Sequence, residues 1–518
     1  MLGRGCRLLN RYSSSAIKIF GHMEANTFAG QVVLTTHEKK IFDILKRARE
    51  LTLKDRPNTD LVLRVSGGWV RDKLLGKESH DIDIALDTLS GAEFAVAVQK
   101  AYSELHPGSN ARGFGVIKSN PDKAKHLETA TMNVEDCWLD FVNLRGDDYG
   151  AASGAPPKFG TPREDALRRD LTINALFYNI NESKVEDFVG TSIQDLKDGI
   201  IRTPLDPQQT FIDDPLRILR VFRFATKFNY TISPAILEAI KSPEILNYLR
   251  LKVSRERFGK EIEPCLEHQN GSRYLDTLHD CGLMPVVFDP TQEKFVEPIS
   301  AADLEARFLQ NKQIWNRITE QVQTNQHLLL QTHLENAAVT RGYLMLACAL
   351  QGFHKVKQTK STTACEYFIK NMLKLKNKTS DDVRDILNAA SDMISHIAIL
   401  EQKEREGKYN EWTAAEHLAI WIKQYGNLYP LAILVLLSQP TPIDKLGSML
   451  QVLQQRNLQL FHEVKLLLNG NDAMKEFGIQ GKEIKPFLEQ AMLWQVRYRT
   501  GTREELVAWL KQQIKVPA

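Results

Sequence analysis

Two glycines and two carboxylates, close together in the chain, carry the strongest chemical signal: Ser66-Gly67-Gly68-Trp69-Val70-Arg71-Asp72, then His80-Asp81-Ile82-Asp83-Ile84. The first run reads as a strand that ends at the glycines and a helix that begins there. Glycine lets the backbone come close to a phosphate, and a helix N-terminus offers free N–H groups and the positive end of its dipole. Gly68 and Arg71 therefore form a candidate phosphate cradle. Asp81 and Asp83 are two apart on a predicted strand, so their carboxylates share a face. Two hard oxygen ligands beside a phosphate cradle suit Mg2+ held together with a nucleoside triphosphate. Either half alone is weak, since Gly-Gly turns are common and an Asp-x-Asp is usually a solvated edge. Together, in this order and at this distance, they are specific.

Further along, Asp140 lies on a predicted strand neighbouring that of Asp81 and Asp83. It reads either as a base or outer ligand for an attacking hydroxyl, or as a strand-end carboxylate facing solvent. Arg217, Arg220 and Arg223 recur every third residue along a helix whose Leu216, Leu219 and Phe222 are apolar. They share one face, and an anionic partner explains the row better than a solvated surface does. Asp214 before Pro215 fits an N-cap and first-turn pair, and Asp170 before Leu171 could cap a helix likewise. Capping and ligand contact are compatible. Glu164 and Asp165 are the local alternatives as partners for Arg168 and Arg169.

The elements that must hold these residues fall into two kinds. Alternating apolar residues predict strands at 61–66, 81–86, 127–134, 137–144 and 184–189. A Gly/Ala/Pro/Ser stretch at 146–162 reads as a mobile loop. From Asp213 onward the strand signals vanish and helical periodicity takes over, first at 216–228, 235–240 and 255–266. The expected class is α+β: a small α/β head at 36–190, a helical neck at 191–265, a helical body at 266–400 and a helical tail at 401–518. No repeat or low-complexity tract interrupts it.

Composition sets the limits. At 518 residues, with 43% hydrophobic and 25% charged, this is an ordinary globular chain. A net charge of +3 names no acidic partner, so any nucleic-acid surface must be a local patch. Six scattered cysteines form no C-x-x-C pair, which speaks against a zinc ribbon and for a reducing compartment. No apolar run approaches the eighteen or so residues of a membrane helix, so no membrane partner is expected. The first 22 residues carry Arg4, Arg7, Arg11 and Lys18, and no acid precedes Glu24. That is the composition of a mitochondrial transit segment, and a basic disordered tail would share it. Met23 offers a second start, which would give cytoplasmic and nuclear forms beside the mitochondrial one.

With these motifs in hand, the sequence resembles the class II tRNA nucleotidyltransferases, the CCA-adding enzymes of the polymerase β nucleotidyltransferase superfamily, and most of all their fungal members. Beyond the glycines and Asp81/Asp83, Arg168-Arg169-Asp170-Leu171-Thr172-Ile173-Asn174 is similar to the family's sugar-handling motif. The run Asp195-Leu196-Lys197-Asp198-Gly199 resembles its hinge between head and neck. Asp213-Asp214-Pro215-Leu216-Arg217 resembles its nucleotide-reading motif, with Asp213 where many members have Glu. Ser254-Arg255-Glu256-Arg257 resembles the helical motif that follows, and fainter likeness reaches Trp494-Gln495 and Gly501-Thr502.

The resemblance implies template-independent addition of C, C and A, from CTP and ATP, to the 3′ end of tRNA by a monomeric enzyme, through two-metal nucleotidyl transfer with Mg2+ as cofactor and release of pyrophosphate. Asp81 and Asp83 would be metal ligands and Asp140 the third catalytic carboxylate. Arg169 and Asp170 would contact the ribose, Asp214 and Arg217 would read the base, and Arg220 and Arg223 would also bind the nucleotide. The tail would bind tRNA, where Trp494, Arg497, Tyr498, Arg499 and Arg503 mix rings with cations; for Trp494, core packing is the plainer reading. His279-Asp280 lacks a partner His and Asp and reads as a helix end. A poly(A) polymerase would share nearly every catalytic motif. A non-catalytic RNA-binding protein would have no use for two adjacent unpaired carboxylates.

Overall fold

Thr35 and Glu38 close a capping box and start helix α1 (Thr36–Asp55), whose Ile41, Phe42, Leu45 and Ala48 are buried. The elements that follow are β1 (Arg64–Ser66), α2 (Gly68–Leu74), β2 (Ile82–Leu86), α3 (Gly91–Leu105), β3 (Gly115–Ile117), β4 (Thr129–Val134), β5 (Cys137–Asn143), α4 (Pro162–Leu167), β6 (Phe177–Asn179) and β7 (Lys184–Glu186). The computed structural model describes residues 28–107, 115–117, 129–144, 159–325, 337–410, 412–440 and 443–514. The expected loop at 146–162 and the basic segment at 1–22 therefore lie wholly or mostly outside the described residues. Two units are distinguished by their internal packing, Met23–Arg257 and the residues from Phe258 onward.

In the first unit seven strands form one sheet in the order β3-β4-β5-β2-β1-β6-β7. Pairing is antiparallel throughout except between β2 and β5, which run parallel. A two-residue turn at Glu135 and Asp136, both at positive φ, joins β4 to β5 with Val134 opposite Cys137. Positive φ at both central residues is the geometry whose twist matches a hairpin, and it fixes the register of β5. Along β5, Leu139, Phe141 and Asn143 are buried while Trp138, Asp140 and Val142 occupy the more open face. On the buried face Phe94 of α3 meets Phe141 edge-on, with ring centres 5.5 Å apart. A Cβ on Gly91 would lie 2.5 Å from the Phe141 carbonyl oxygen, so only glycine lets α3 lie flat on the strand. Burying a side chain such as Phe141 contributes about 1.5–3 kcal/mol.

Beyond the sheet come α5 (Ser192–Asp198), β8 (Ile200–Ile201), α6 (Pro207–Asp213), α7 (Arg217–Phe228), β9 (Thr231–Ile232), α8 (Pro234–Ile240), α9 (Pro243–Lys252) and α10 (Arg255–Leu266). Gly199 ends α5 in the left-handed conformation at φ 68, which glycine adopts without steric cost. β8 and β9 pair in parallel, so strand structure does not end at Asp213 as the sequence predicts. Strands of two residues carry no readable alternation, and the same brevity hides β3 and β6.

Among its described residues the second unit is helical apart from one isolated bridge between Lys357 and Thr363. Phe288, Phe308, Phe353 and Phe368 interlock in its core, with successive ring centres 5.1–5.6 Å apart. Asn377–Arg405 packs against Thr413–Tyr425 and Tyr429–Leu437, so the expected body–tail boundary at 400 falls inside one helix. Together, Thr413–Leu437 has the length and mean hydropathy (1.2) of a membrane span, contrary to the expectation from apolar runs alone. Most of it is buried within the unit, and a short turn at Gly426–Leu428 divides it, as befits core helices. Trp494 is buried with Leu468, Ala473, Phe487, Leu506 and Leu510, which agrees with the plainer reading of that residue. His279 and Asp280 end a helix, where Asp280 pairs with Lys312. The five described cysteines are free thiols.

Candidate active site

Asp83 and Asp140 stand directly opposite each other in the parallel β2–β5 register, so both carboxylates project from the same open face of the sheet. Asp81 precedes β2 by one residue and is exposed. It was expected on the strand itself. The Thr131 hydroxyl, from β4, donates to Asp140 Oδ1 at 2.6 Å, so Asp140 is oriented rather than free in solvent. Burial first, and then the charges of Asp81 and Asp140, push the Asp83 pKa up to about 6, with Arg169 pulling it back. Three carboxylates converging with little cationic compensation make a site that is short of positive charge. Among the described residues no group of three His, Cys, Asp or Glu side chains is placed to hold a metal ion by itself. Hard carboxylate oxygens, with remaining positions left to water and phosphate, are the donor set that magnesium-like ions take.

The candidate phosphate cradle lies on the other side of β2. Gly67 has φ +75, a conformation that favours glycine, and the Arg169 guanidinium lies close against it. No side chain caps the start of α2 at Gly67. Arg71 is only 4% exposed. It donates to Asp72 at 2.8 Å and to the Asn174 side-chain oxygen, and it lies over the rings of Phe224 and Phe228 at 5.2 and 4.8 Å. Its guanidinium thus links α2 to α7 as well as adding positive potential beneath the cradle.

Arg169 donates through Nε and Nη2 to Asp165 Oδ2 and through Nη1 to the Asn174 carbonyl. The local partner Asp165 and the influence on Asp83 therefore coexist. Asp170 is not a helix cap in the expected sense. Its Oδ1 accepts from Leu171 N and the Asn174 amide, at the edge of a single 3₁₀ turn (Thr172–Asn174), and Oδ2 accepts from Arg220 at 2.7 Å. Burial works against its charge, but Arg220, Asn174 and Arg217 outweigh that and hold the carboxyl below its ordinary range.

Asp214 and Arg217 were expected on one helix. Instead Asp214 ends α6 in extended backbone, and α7 begins at Arg217. Pro215 cannot continue α6, having no N–H and a fixed φ. Asp214 Oδ1 accepts from Leu216 N, as a cap does, and Oδ2 accepts from Arg257 at 2.9 Å. The Arg217 Nη2 donates to the Arg168 carbonyl at 2.7 Å. Arg217, Arg220 and Arg223 do keep to the half-open face of α7, opposite buried Ile218, Leu219, Phe222 and Ala225.

Three residues to which sequence reasoning gave no role of their own complete the arrangement: Thr131, Asn174 and Arg257. Asn174 bonds with Arg71, Arg169 and Asp170 at once. A polar amide among Leu171, Ile173, Ala175 and Leu176 was the available signal.

Three comparisons bear on this geometry. A family model described as the poly A polymerase head domain matches residues 63–202. Over 505 residues the chain is 32% identical to tRNA nucleotidyltransferase cca1 of Schizosaccharomyces pombe, covering 92% of this chain and 96% of that protein. It is also 32% identical to the mitochondrial CCA tRNA nucleotidyltransferase of Saccharomyces cerevisiae, covering 93% of this chain and 94% of that one. Among solved structures, the Thermotoga maritima CCA-adding enzyme complexed with tRNA superposes with a TM-score of 0.61, across 93% of this chain and 97% of that one. At 18% identity this likeness speaks for the fold.

Proposed function

Since the chain belongs to the family of the fungal CCA-adding tRNA nucleotidyltransferases, matched at 32% identity across nearly its whole length, we infer that it adds C, C and A to the 3′ end of tRNA without a template. CTP and ATP are the substrates, and pyrophosphate is released. The observation that carries the reading is the register that sets Asp83 opposite Asp140, with Asp81 beside them and the Gly67-Gly68 turn across β2.

In this reading the 3′-hydroxyl oxygen of the tRNA bonds to the α-phosphorus of the nucleotide as the bond to pyrophosphate breaks. The family uses divalent metal ions; Mg2+ held at Asp81 and Asp83 would lower the hydroxyl's pKa and offset charge on the departing pyrophosphate. Asp140, steadied by Thr131, receives or directs the hydroxyl's proton. Gly68 lets the triphosphate approach the backbone, and Arg71 and Arg169 supply positive potential. Asp170 and Arg220, locked together, set the wall beside the ribose. At the base, Asp214 and Arg217 complement the amino donor and ring-nitrogen acceptor that cytosine and adenine share. Both would have to exchange their present partners, Arg257 and the Arg168 carbonyl, for the base.

We place the enzyme in mitochondria, in line with its yeast relative and the acid-free stretch before Glu24. Cytoplasmic and nuclear forms would start at Met23. We take a single chain to be the working unit.

A poly(A) polymerase is the second reading, favoured by the description of the head-domain match. One assay separates the two: purified full-length protein, a tRNA lacking its last three nucleotides, Mg2+, and the four NTPs singly and together. Addition of C, C and A followed by arrest is expected. An unbounded run of A would establish the alternative, and no addition with any NTP would remove both.

A further inference from the structure

Trp138 is an exposed indole beside the catalytic carboxylates. It is 60% exposed, whereas Trp69, Trp315, Trp421 and Trp494 are buried. It precedes Asp140 by two residues on β5 and so shares its open face. Ile82 lies opposite Leu139, so the next position outward sets Trp138 beside Asp81. The strands stay together there, since the Cys137 thiol approaches the His80 carbonyl at 3.9 Å. Among the described residues no ring or cation packs against the indole.

Position, more than exposure, gives this residue a role, because single exposed apolar side chains are ordinary. In phosphoryl transfer the attacking and leaving oxygens are roughly in line. The cradle that holds the leaving pyrophosphate, Gly67-Gly68 with Arg169, is on the β1 side of β2. The hydroxyl must then arrive from the β5 side, where Asp140 and Trp138 stand. A nucleotide whose 3′-oxygen lies near Asp140 has its base a few ångströms away along the same face. An aromatic surface there stacks on any base, which suits a primer end that changes with each addition. The arginine row of α7 has no such ring on its open face, since Phe224 is buried.

We propose that Trp138 stacks against the terminal base of the RNA primer and positions its 3′-hydroxyl for attack. The proposal rests on the nucleotidyltransferase reading above and adds a primer-binding residue to it. The test is Trp138→Ala and Trp138→Phe in the full-length chain, assayed with the shortened tRNA and CTP. A matched tRNA whose last nucleotide is abasic is the second substrate. Trp138→Ala should raise KM for tRNA about tenfold, in the range that one base–ring stack supports, while KM for CTP stays as in the wild type. Trp138→Phe should recover most of the loss. The abasic end should cost the wild type a similar factor and cost Trp138→Ala little more. RNA should also quench indole fluorescence in the wild type by an increment missing from Trp138→Phe, a readout that survives even if the alanine variant is unstable. An equal abasic penalty in wild type and variant, or a quench that Trp138→Phe retains in full, would overturn the proposal. Failure of the wild type to extend either RNA would instead count against the enzymatic reading.

Discussion

Asp83 shows how much one residue type decides. Its carboxylate is partly buried, faces two other acids and titrates at about 6, which serves nothing in a resting fold. Asp83→Asn, which keeps size and polarity but removes the charge, should reduce nucleotide addition by about a thousandfold, in line with the loss of a positioned charge at a transferring phosphate. Its melting temperature should match or exceed the wild type's, because like-charge repulsion is relieved. Retention of a tenth of the activity in a single-turnover assay would rule Asp83 out as a ligand. Asp140→Ala should be comparably severe, since the register gives it the same face and neighbour. Base choice is a separate matter for Asp214 and Arg217. Uracil and guanine offer a carbonyl where the amino group should be and an N–H where the acceptor should be. Each mismatch leaves a charged group unsatisfied, and two of them would reject UTP and GTP by roughly a hundredfold. Arg217→Ala should therefore narrow the ratio of CTP to UTP incorporation by that order. An unchanged ratio would mean that Arg217 only ties α7 to the Arg168 carbonyl.

At the scale of elements, the sequence is most readable where a pattern is long. Helices at 216–228, 235–240 and 255–266 were expected and lie within a residue of α7, α8 and α10. β2, β4 and β5 announced themselves through alternation, and with them the common strand pair that holds Asp83 and Asp140. What could not be read is what depends on partners far off in the chain. Nothing local reveals that β5 joins β2 in parallel, that Arg71 lies under Phe224 and Phe228, or that Asp214 pairs with Arg257. The turn at Glu135 and Asp136 was also hidden, because it lacks the glycine or asparagine that normally marks positive φ. Helix pairing in the second unit holds another feature without a sequence signature: His396 Nδ1 and His417 Nδ1 lie 2.7 Å apart. One ring must donate and the other accept, so the bond exists only while at least one of those nitrogens lacks a proton. Burial, and then the charges of His396 and Lys403, lower the His417 pKa to about 4. A histidine whose folded pKa lies below its unfolded value stabilises fully above about pH 6.5 and loses that stability as pH falls toward 4. Denaturation midpoints should fall between pH 7 and pH 5, and His417→Gln should flatten the slope by about one proton. Equal slopes for the two proteins would show that His417 remains protonated or exposed.

For the molecule as a whole, the segment proposed as an address, residues 1–22, precedes every residue named at the site. A protein begun at Met23 keeps every residue named at the site, so it should add C, C and A at the full-length rate. In cell fractionation it should be lost from mitochondria; normal import of the shortened chain would place the address elsewhere. The single parallel pairing in the sheet also has a consequence in time. Antiparallel neighbours such as β4 and β5 can zip up from a tight turn, while β2 must wait for α3, β3 and β4 before it meets β5. Contacts between distant segments form slowly, because loop closure precedes their reward. The three carboxylates should thus be assembled late, after most helical structure has formed. During refolding from denaturant, far-ultraviolet ellipticity should recover ahead of nucleotide addition. In that interval the chain would be nearly native in outline and chemically inert, so newly made enzyme has no half-built centre with which to act on nucleotides.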